Sequence, residues 1–198
     1  RALTWQEFDR RANRFANLLL SRGLQKGAKV AILMMNCLEW LPVYFGILKA
    51  GCIAVPLNFR YSSEEIKYCL ELADVEVLVF GPEFVGRMDA VQDQLPQVKM
   101  MFFVGRDKPA YAEDCLKLVG FCSSSAPPVA LEEADCAAIY FSSGTTGFPK
   151  AILHNHRAPG VLLRDGAEAP RPDPGGRVPV HPAAVPHGGK DALVRQPP

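Results

Sequence analysis

The sequence predicts an α/β fold, a mostly parallel sheet flanked by helices, followed by a tail that joins no sheet. Three observations carry this. Four short apolar runs, Lys29–Met34, Ile53–Pro56, Val75–Phe80 and Lys99–Val104, have the length and content of buried strands. The segment before them repeats apolar residues at three and four, the mark of a helix with one buried face, and capping and glycine signals mark further helices between them. Past residue 158 the composition changes abruptly. Strand and helix in alternation imply parallel pairing, because each return to the sheet needs a crossover.

The elements follow in order. Thr4 and Glu7 form a capping-box pattern, so a helix is expected to start at Trp5. Trp5, Phe8, Ala12, Phe15, Ala16 and Leu19 mark its buried face, and Gly23 ends it in a left-handed turn. After the first strand, Asn36 is the expected cap of a helix from Cys37 to Ala50, bent by Pro42 and closed by Gly51. The strand Ile53–Pro56 follows. Ser62 and Glu65 offer a second capping box for a helix through Leu72. A helix from Glu83 to Leu95 is expected between the third and fourth strands. Residues 105–135 read as irregular, and Ala137–Phe141 as the last strand before a glycine-rich turn. Trp5 and Trp40 are expected in the core, and the pairs Met34-Met35 and Met100-Met101 as core or edge packing.

Charge and composition exclude several classes. Lys and Arg total 22 against 21 Asp and Glu, which argues against a nucleic-acid binder working through a basic field. No run of about 18 uncharged apolar residues exists, so no transmembrane segment is expected. The six cysteines form no C-x-x-C pair, and free thiols in a cytoplasmic setting are the expectation. His154-Asn155-His156 lacks further nearby ligands, so no metal site is expected there. Instead Asn155 is read as the cap of a following helix, and Lys49 and Arg60 as solvated charges.

Residues 159–198 hold 9 of the 17 prolines and 6 of the 16 glycines, and no Ile, Phe, Tyr, Trp or Met. Such a segment has few apolar anchors and is expected to be disordered. Two readings stay open: a Pro-rich linker, or translation of GC-rich coding sequence in the wrong frame. The predicted organisation is therefore a partial domain over 1–158 and a Pro/Gly-rich tail over 159–198. The opening RALTWQEF reads like the interior of a longer protein.

The chemistry concentrates between Tyr140 and Lys150, where an apolar strand runs into Ser142, Ser143, Gly144, Thr145, Thr146, Gly147, Phe148 and Pro149 before the lysine. Glycines let backbone N–H groups turn toward an anion, hydroxyls donate to phosphate oxygens, and Lys150 adds a point charge. The spacing is not that of a Walker loop, which needs four residues between its first glycine and Gly-Lys. Ala151–His154 reads as a strand, where a Walker loop would open a helix. Taken on physics alone, a polyphosphate loop and a ligand-free glycine turn weigh about equally.

The order Ser-Ser-Gly-Thr-Thr-Gly-Phe-Pro-Lys resembles the phosphate-loop signature of the adenylate-forming (AMP-binding) enzymes, among them the acyl-CoA synthetases. Leu48–Asn58 resembles an earlier helix-turn-strand of that family, and Leu3–Phe8 its usual first helix start. The resemblance covers residues 1–158 and is most like a fatty-acid or medium-chain acyl-CoA synthetase. It implies the first part of a large N-terminal domain and a two-step reaction. A carboxylic acid attacks the α-phosphate of ATP with magnesium present, and coenzyme A then displaces AMP as the thioester forms. By this resemblance Ser142, Thr145 and Thr146 would hold the β- and γ-phosphates, Gly144 and Gly147 would provide the bend, and Ser143 and Lys150 would complete the phosphate site. It also implies that His156 packs beside the loop. The family's later motifs for adenine, ribose, magnesium and the catalytic lysine do not occur in this chain, so neither half-reaction is expected from it alone. The competing readings are a non-catalytic phosphate- or nucleotide-binding module and a non-functional gene fragment.

Overall fold

The computed structural model describes residues 2–142 and 149–157. Helix α1, Trp5–Ser21, starts where Thr4 accepts the Glu7 amide at 3.2 Å. Only half of the expected capping box forms, because the Glu7 carboxylate reaches forward to Arg11 at 2.7 Å instead of back to Thr4. Gly23, at φ 82°, terminates the helix as expected. Its buried face carries Ala12, Asn13, Phe15, Ala16, Leu18 and Leu19. Trp5 is not in the core: it lies in the first turn, beyond the sheet, and is 50% exposed.

Strand β1, Lys29–Leu33, leads to α2, Trp40–Lys49, which starts later than the Asn36 cap suggested. Glu39 occupies the cap position without a side-chain hydrogen bond. Pro42 therefore falls in the first turn, where its missing N–H has no helical partner to lose, and the reason to expect a bend disappears. Strand β2, Ile53–Pro56, and helix α3, Ser63–Leu72, match expectation, and the Ser62–Glu65 box is made in both directions. Strand β3 is Val77–Phe80.

The next helix is much shorter than predicted. A 3₁₀ turn at Pro82–Phe84 passes into α4, Val85–Asp89, and a second 3₁₀ turn covers Gln92–Gln94. Phe84, Met88, Val91 and Leu95 keep a helical spacing and are all buried. Gly86 and Asp89 weaken the helix, however, and Val91 leaves helical geometry at φ −135°. Strand β4, Met100–Phe103, follows. The supposedly irregular stretch contains β5, Glu113–Asp114, and α5, Cys115–Gly120, started by the Asp114 carboxylate accepting the Lys117 amide. The hairpin β6, Cys136–Ser142, and β7, Lys150–Asn155, completes the described chain.

The seven strands form one sheet in the order β5-β4-β3-β1-β2-β6-β7, parallel throughout except for β7, which runs antiparallel to β6. Both faces are covered, and strand residues alternate between two cores. Val30 and Ile32 enter the cluster under α1, α2 and α5, with Phe15, Ile47 and Phe102. Ala31 and Leu33 enter the cluster under α3 and α4, with Ile66, Leu70, Phe80 and Phe84. Two-sided burial explains why the strands read as continuous apolar runs. Of the methionines, Met34 and Met101 are buried while Met35 is 41% exposed.

Burial also sorts the cysteines, which are all free. It pushes the thiols of Cys52, Cys69 and Cys115 up to about 12, and raises those of Cys37 and Cys122. Cys136 is the exposed one. Since the thiolate is the nucleophile, iodoacetamide at pH 8 is expected to label Cys136 first, with Cys52, Cys69 and Cys115 protected until unfolding. Peptide mapping of the native protein showing Cys115 modified as fast as Cys136 would contradict this packing.

Candidate functional site

Strand β6 delivers the phosphate-loop segment to the carboxyl end of the parallel strands, where open α/β sheets bind ligands. Ser142 is its last residue and pairs in register with Lys150, the first of β7. Ser142 and the exposed Lys150 thus stand opposite each other at this end of the β6–β7 pair, while Pro149 is buried. Ser143, Gly144, Thr145, Thr146 and Gly147 lie outside the described residues.

The hairpin base is held from behind. Phe141 and Ala151 pack against the α3/α4 core. Tyr140 turns to the other face, where its hydroxyl meets that of Tyr44 at 2.7 Å. Burial, reinforced by Tyr140, drives the Tyr44 hydroxyl well above the ordinary tyrosine range. Trp40 stacks on Tyr44 with rings 5.5 Å apart and 10° from parallel, and His154 meets Tyr140 edge-on at 5.3 Å. Trp40, expected in the core, is half-buried and packs against the cluster under α1, α2 and α5 as well as on Tyr44. Sequence reasoning missed this chain of rings because Tyr44 and Tyr140 lie on separate elements with no local signal joining them.

Two other expectations change. His156 lies at the opposite end of β7 from the loop, where its N–H donates to the Asp135 carbonyl at 3.0 Å. Six strand residues at about 3.4 Å each separate the two ends. Lys49 is not simply solvated: it binds Asp9 at 2.7 Å and the Asn13 side-chain oxygen at 2.9 Å, tying α2 to α1. This ammonium holds the Asp9 carboxyl below its usual range. Arg60 does stay at the surface, over the Phe59 ring.

A cavity of about 210 Å³ lies between α1, α2 and α5, lined by Arg11, Arg14, Glu39 and Val104 among others. It adjoins the carboxyl end of β4, at the other edge of the sheet from β6 and β7, and Arg11 lies 2.7 Å from Glu7 and 3.9 Å from Glu39. Among the described residues no group of three His, Cys, Asp or Glu gathers to hold a metal, and no helix is long and apolar enough to cross a membrane.

A mostly parallel sheet covered by helices on both faces defines an α/β protein. Residues 1–170 match the family model of the AMP-binding enzymes, and the chain belongs to that family. It is 33% identical over 162 residues to a medium/long-chain-fatty-acid and 3-oxocholest-4-en-26-oate CoA ligase of Mycobacterium marinum, covering 78% of this chain and 30% of that one. It is 32% identical over 169 residues to the 3-hydroxybenzoate/4-hydroxybenzoate CoA ligase of Thauera aromatica, covering 85% and 32%. Among solved structures, the anthranilate CoA ligase AuaEII in complex with anthranoyl-AMP superposes with a TM-score of 0.80 at 26% identity, over 83% of this chain and 32% of that one. The N-terminal domain of FACL13 from Mycobacterium tuberculosis gives 0.73 at 27%, over 84% and 41%. The chain spans about a third of the length of the curated relatives it matches.

Proposed function

We propose that this chain is the first part of an acid–thiol ligase of the fatty-acid type, acting in the cytoplasm, and that Ser142–Lys150 is its triphosphate grip. The relatives named as fatty-acid CoA ligases support the reaction class. The observation that carries the site is the register of Ser142 opposite Lys150 at the carboxyl end of β6. In this reading Ser142, Ser143, Thr145 and Thr146 donate hydrogen bonds to the β- and γ-phosphates of ATP. Gly144 and Gly147 allow the backbone to close on them, and Lys150 offsets their charge. Such a loop works by positioning and electrostatics, without covalent chemistry.

Magnesium is proposed with ATP, as the family's reaction implies, and no residue of this chain is assigned to it. The acid and coenzyme A would meet the adenylate in the remainder of the enzyme. The same composition that lacks a basic field excludes nucleic acid from the partners proposed here.

The test is binding of ATP and of pyrophosphate to the 198-residue chain, followed by phosphorus NMR or calorimetry. Lys150→Ala is expected to weaken binding roughly 10- to 100-fold, as loss of a charge-assisted hydrogen bond does, and Thr145→Ala by up to about tenfold. Binding unchanged by both substitutions sinks the phosphate assignment. Adenylate formation by the chain alone would sink the proposal that it is only the first part of the catalyst.

A further inference from the structure

We infer that Tyr44 is a positioning residue for the phosphate grip: its hydroxyl bond to Tyr140 fixes the loop-bearing end of β6 at the level where the parallel ladder to β2 runs out. The inference rests on the phosphate-loop reading of Ser142–Lys150 and adds the group that sets where those residues stand.

The ladder runs out for a covalent reason. Among the described residues β6 is in register with β2 at one pair, Ala54 with Ala138. Along β2, the amides of Ile53 and Leu57 donate to the Ala28 and Ile32 carbonyls, on the β1 side. Successive N–H groups of a strand point to opposite neighbours, so positions 54 and 56 are turned toward β6. Position 56 is proline and has no N–H to donate. Counting on from the Ala54–Ala138 pair brings Pro56 level with Tyr140. At that level the Tyr140 and Tyr44 hydroxyls meet at 2.7 Å, a side-chain bond where the backbone bond is missing.

Both ends of this bond are held. Trp40 stacks on the Tyr44 ring, Phe45 meets it edge-on at 5.6 Å, and His154 meets Tyr140 edge-on at 5.3 Å. Tyr44 stands on a helix that is itself fastened, since Lys49 ties α2 to Asp9 and Asn13 of α1. Tyr140 is joined to the site through the strand. Side chains two apart share a face, so Ser142 and its partner Lys150 stand on the face of Tyr140, about 7 Å further along. On the opposite face Phe141 and Ala151 pack into the α3/α4 core. That contact presses the hairpin down, but apolar burial is non-directional and leaves sliding along the strand open. The hydroxyl pair sets one position.

The test uses the 198-residue chain, inorganic pyrophosphate as the probe and calorimetry, with urea titration and hydrogen exchange in parallel. Tyr44→Phe keeps the ring and removes one oxygen. It is expected to weaken pyrophosphate binding about two- to tenfold, the range for one neutral hydrogen bond, and to speed exchange of the Phe141 and Ser142 amides by a similar factor. It also leaves the Tyr140 hydroxyl without its partner, so stability falls. The double variant, Tyr44→Phe with Tyr140→Phe, leaves neither hydroxyl unpaired and is expected to regain most of that stability while its affinity stays low. Affinity that recovers together with stability overturns the inference, because the two hydroxyls would then be a brace and nothing more. Unchanged exchange at Phe141 and Ser142 in Tyr44→Phe overturns it as well. The two readings fail differently. Pyrophosphate binding that Lys150→Ala weakens and Tyr44→Phe leaves untouched keeps the phosphate grip and removes Tyr44 from it. A parent chain that binds no pyrophosphate removes the grip, and the role of Tyr44 with it.

Discussion

Replacing Phe80 by alanine is expected to destabilise the domain by about 3–5 kcal/mol, the range for removing a fully buried phenyl ring. Phe80 ends β3, is 0% exposed, and sits where the sheet meets α3 and α4. Its ring meets Phe103 edge-on at 5.4 Å and stacks on Tyr111 at 6.1 Å. Tyr111 in turn donates its hydroxyl to Asp89 at 2.8 Å, fastening the segment before β5 to the end of α4. The strand cannot move to fill the gap, because Phe80 pairs with Leu33 on one side and Phe103 on the other. Domains of ordinary stability hold about 5–15 kcal/mol, so the loss is a large share of the whole margin. Phe80→Leu, which keeps most of the volume, should cost less than half as much. Urea titration of both variants decides: a loss below about 1 kcal/mol for the alanine would mean that the ring is not at the centre of this core.

Gly46→Val is expected to cost about 3 kcal/mol by the opposite route, overpacking. At Gly46 the helices α1 and α2 touch backbone to backbone. A β-carbon there would stand 2.8 Å from the Ala12 carbonyl oxygen and 2.9 Å from the Phe15 β-carbon. Neither neighbour is the free end of a side chain, so one helix would have to move away from the other. That movement would strain the Lys49 bridge to Asp9 and Asn13 as well. Gly46→Ala meets the same wall but gains about 1 kcal/mol of helix propensity, so it should lose less. Helices spread apart in the valine variant should also expose the adjoining Phe15 and Ile47, raising dye binding to apolar surface. A valine variant as stable as the parent would show that the two helices do not approach this closely.

Much of the fold was legible because the signals that specify it are local. The capping box of Ser62 and Glu65, the left-handed glycines Gly23 and Gly51, and the apolar runs of β1 to β4 each fix the geometry of a few neighbouring residues. The errors came where two local signals competed. Glu7 fits both a capping box with Thr4 and an ion pair with Arg11, and the second won. The spacing of Phe84, Met88, Val91 and Leu95 fits one long helix, but burial of four anchors is also met by a short helix between two tight turns. α5 escaped notice because six residues are too few for periodicity to register.

The candidate site divides in the same way. Its residue types and their order, Ser142 to Lys150, are a property of consecutive sequence and can be read without any coordinates. What the sequence by itself determined was therefore a parallel α/β sheet, the family and the segment proposed to carry its chemistry. Only the tertiary structure decided the rest: that β6 lies beside β2 and not beside β4, that Tyr44 reaches Tyr140 across 96 residues, that His156 lies at the far end of β7 from Lys150, and that β7 is an edge strand among the described residues. These depend on which surfaces meet after the chain has crossed over the sheet. No window of neighbouring residues encodes that, because the free energy that selects it comes from burying both faces of the sheet at once.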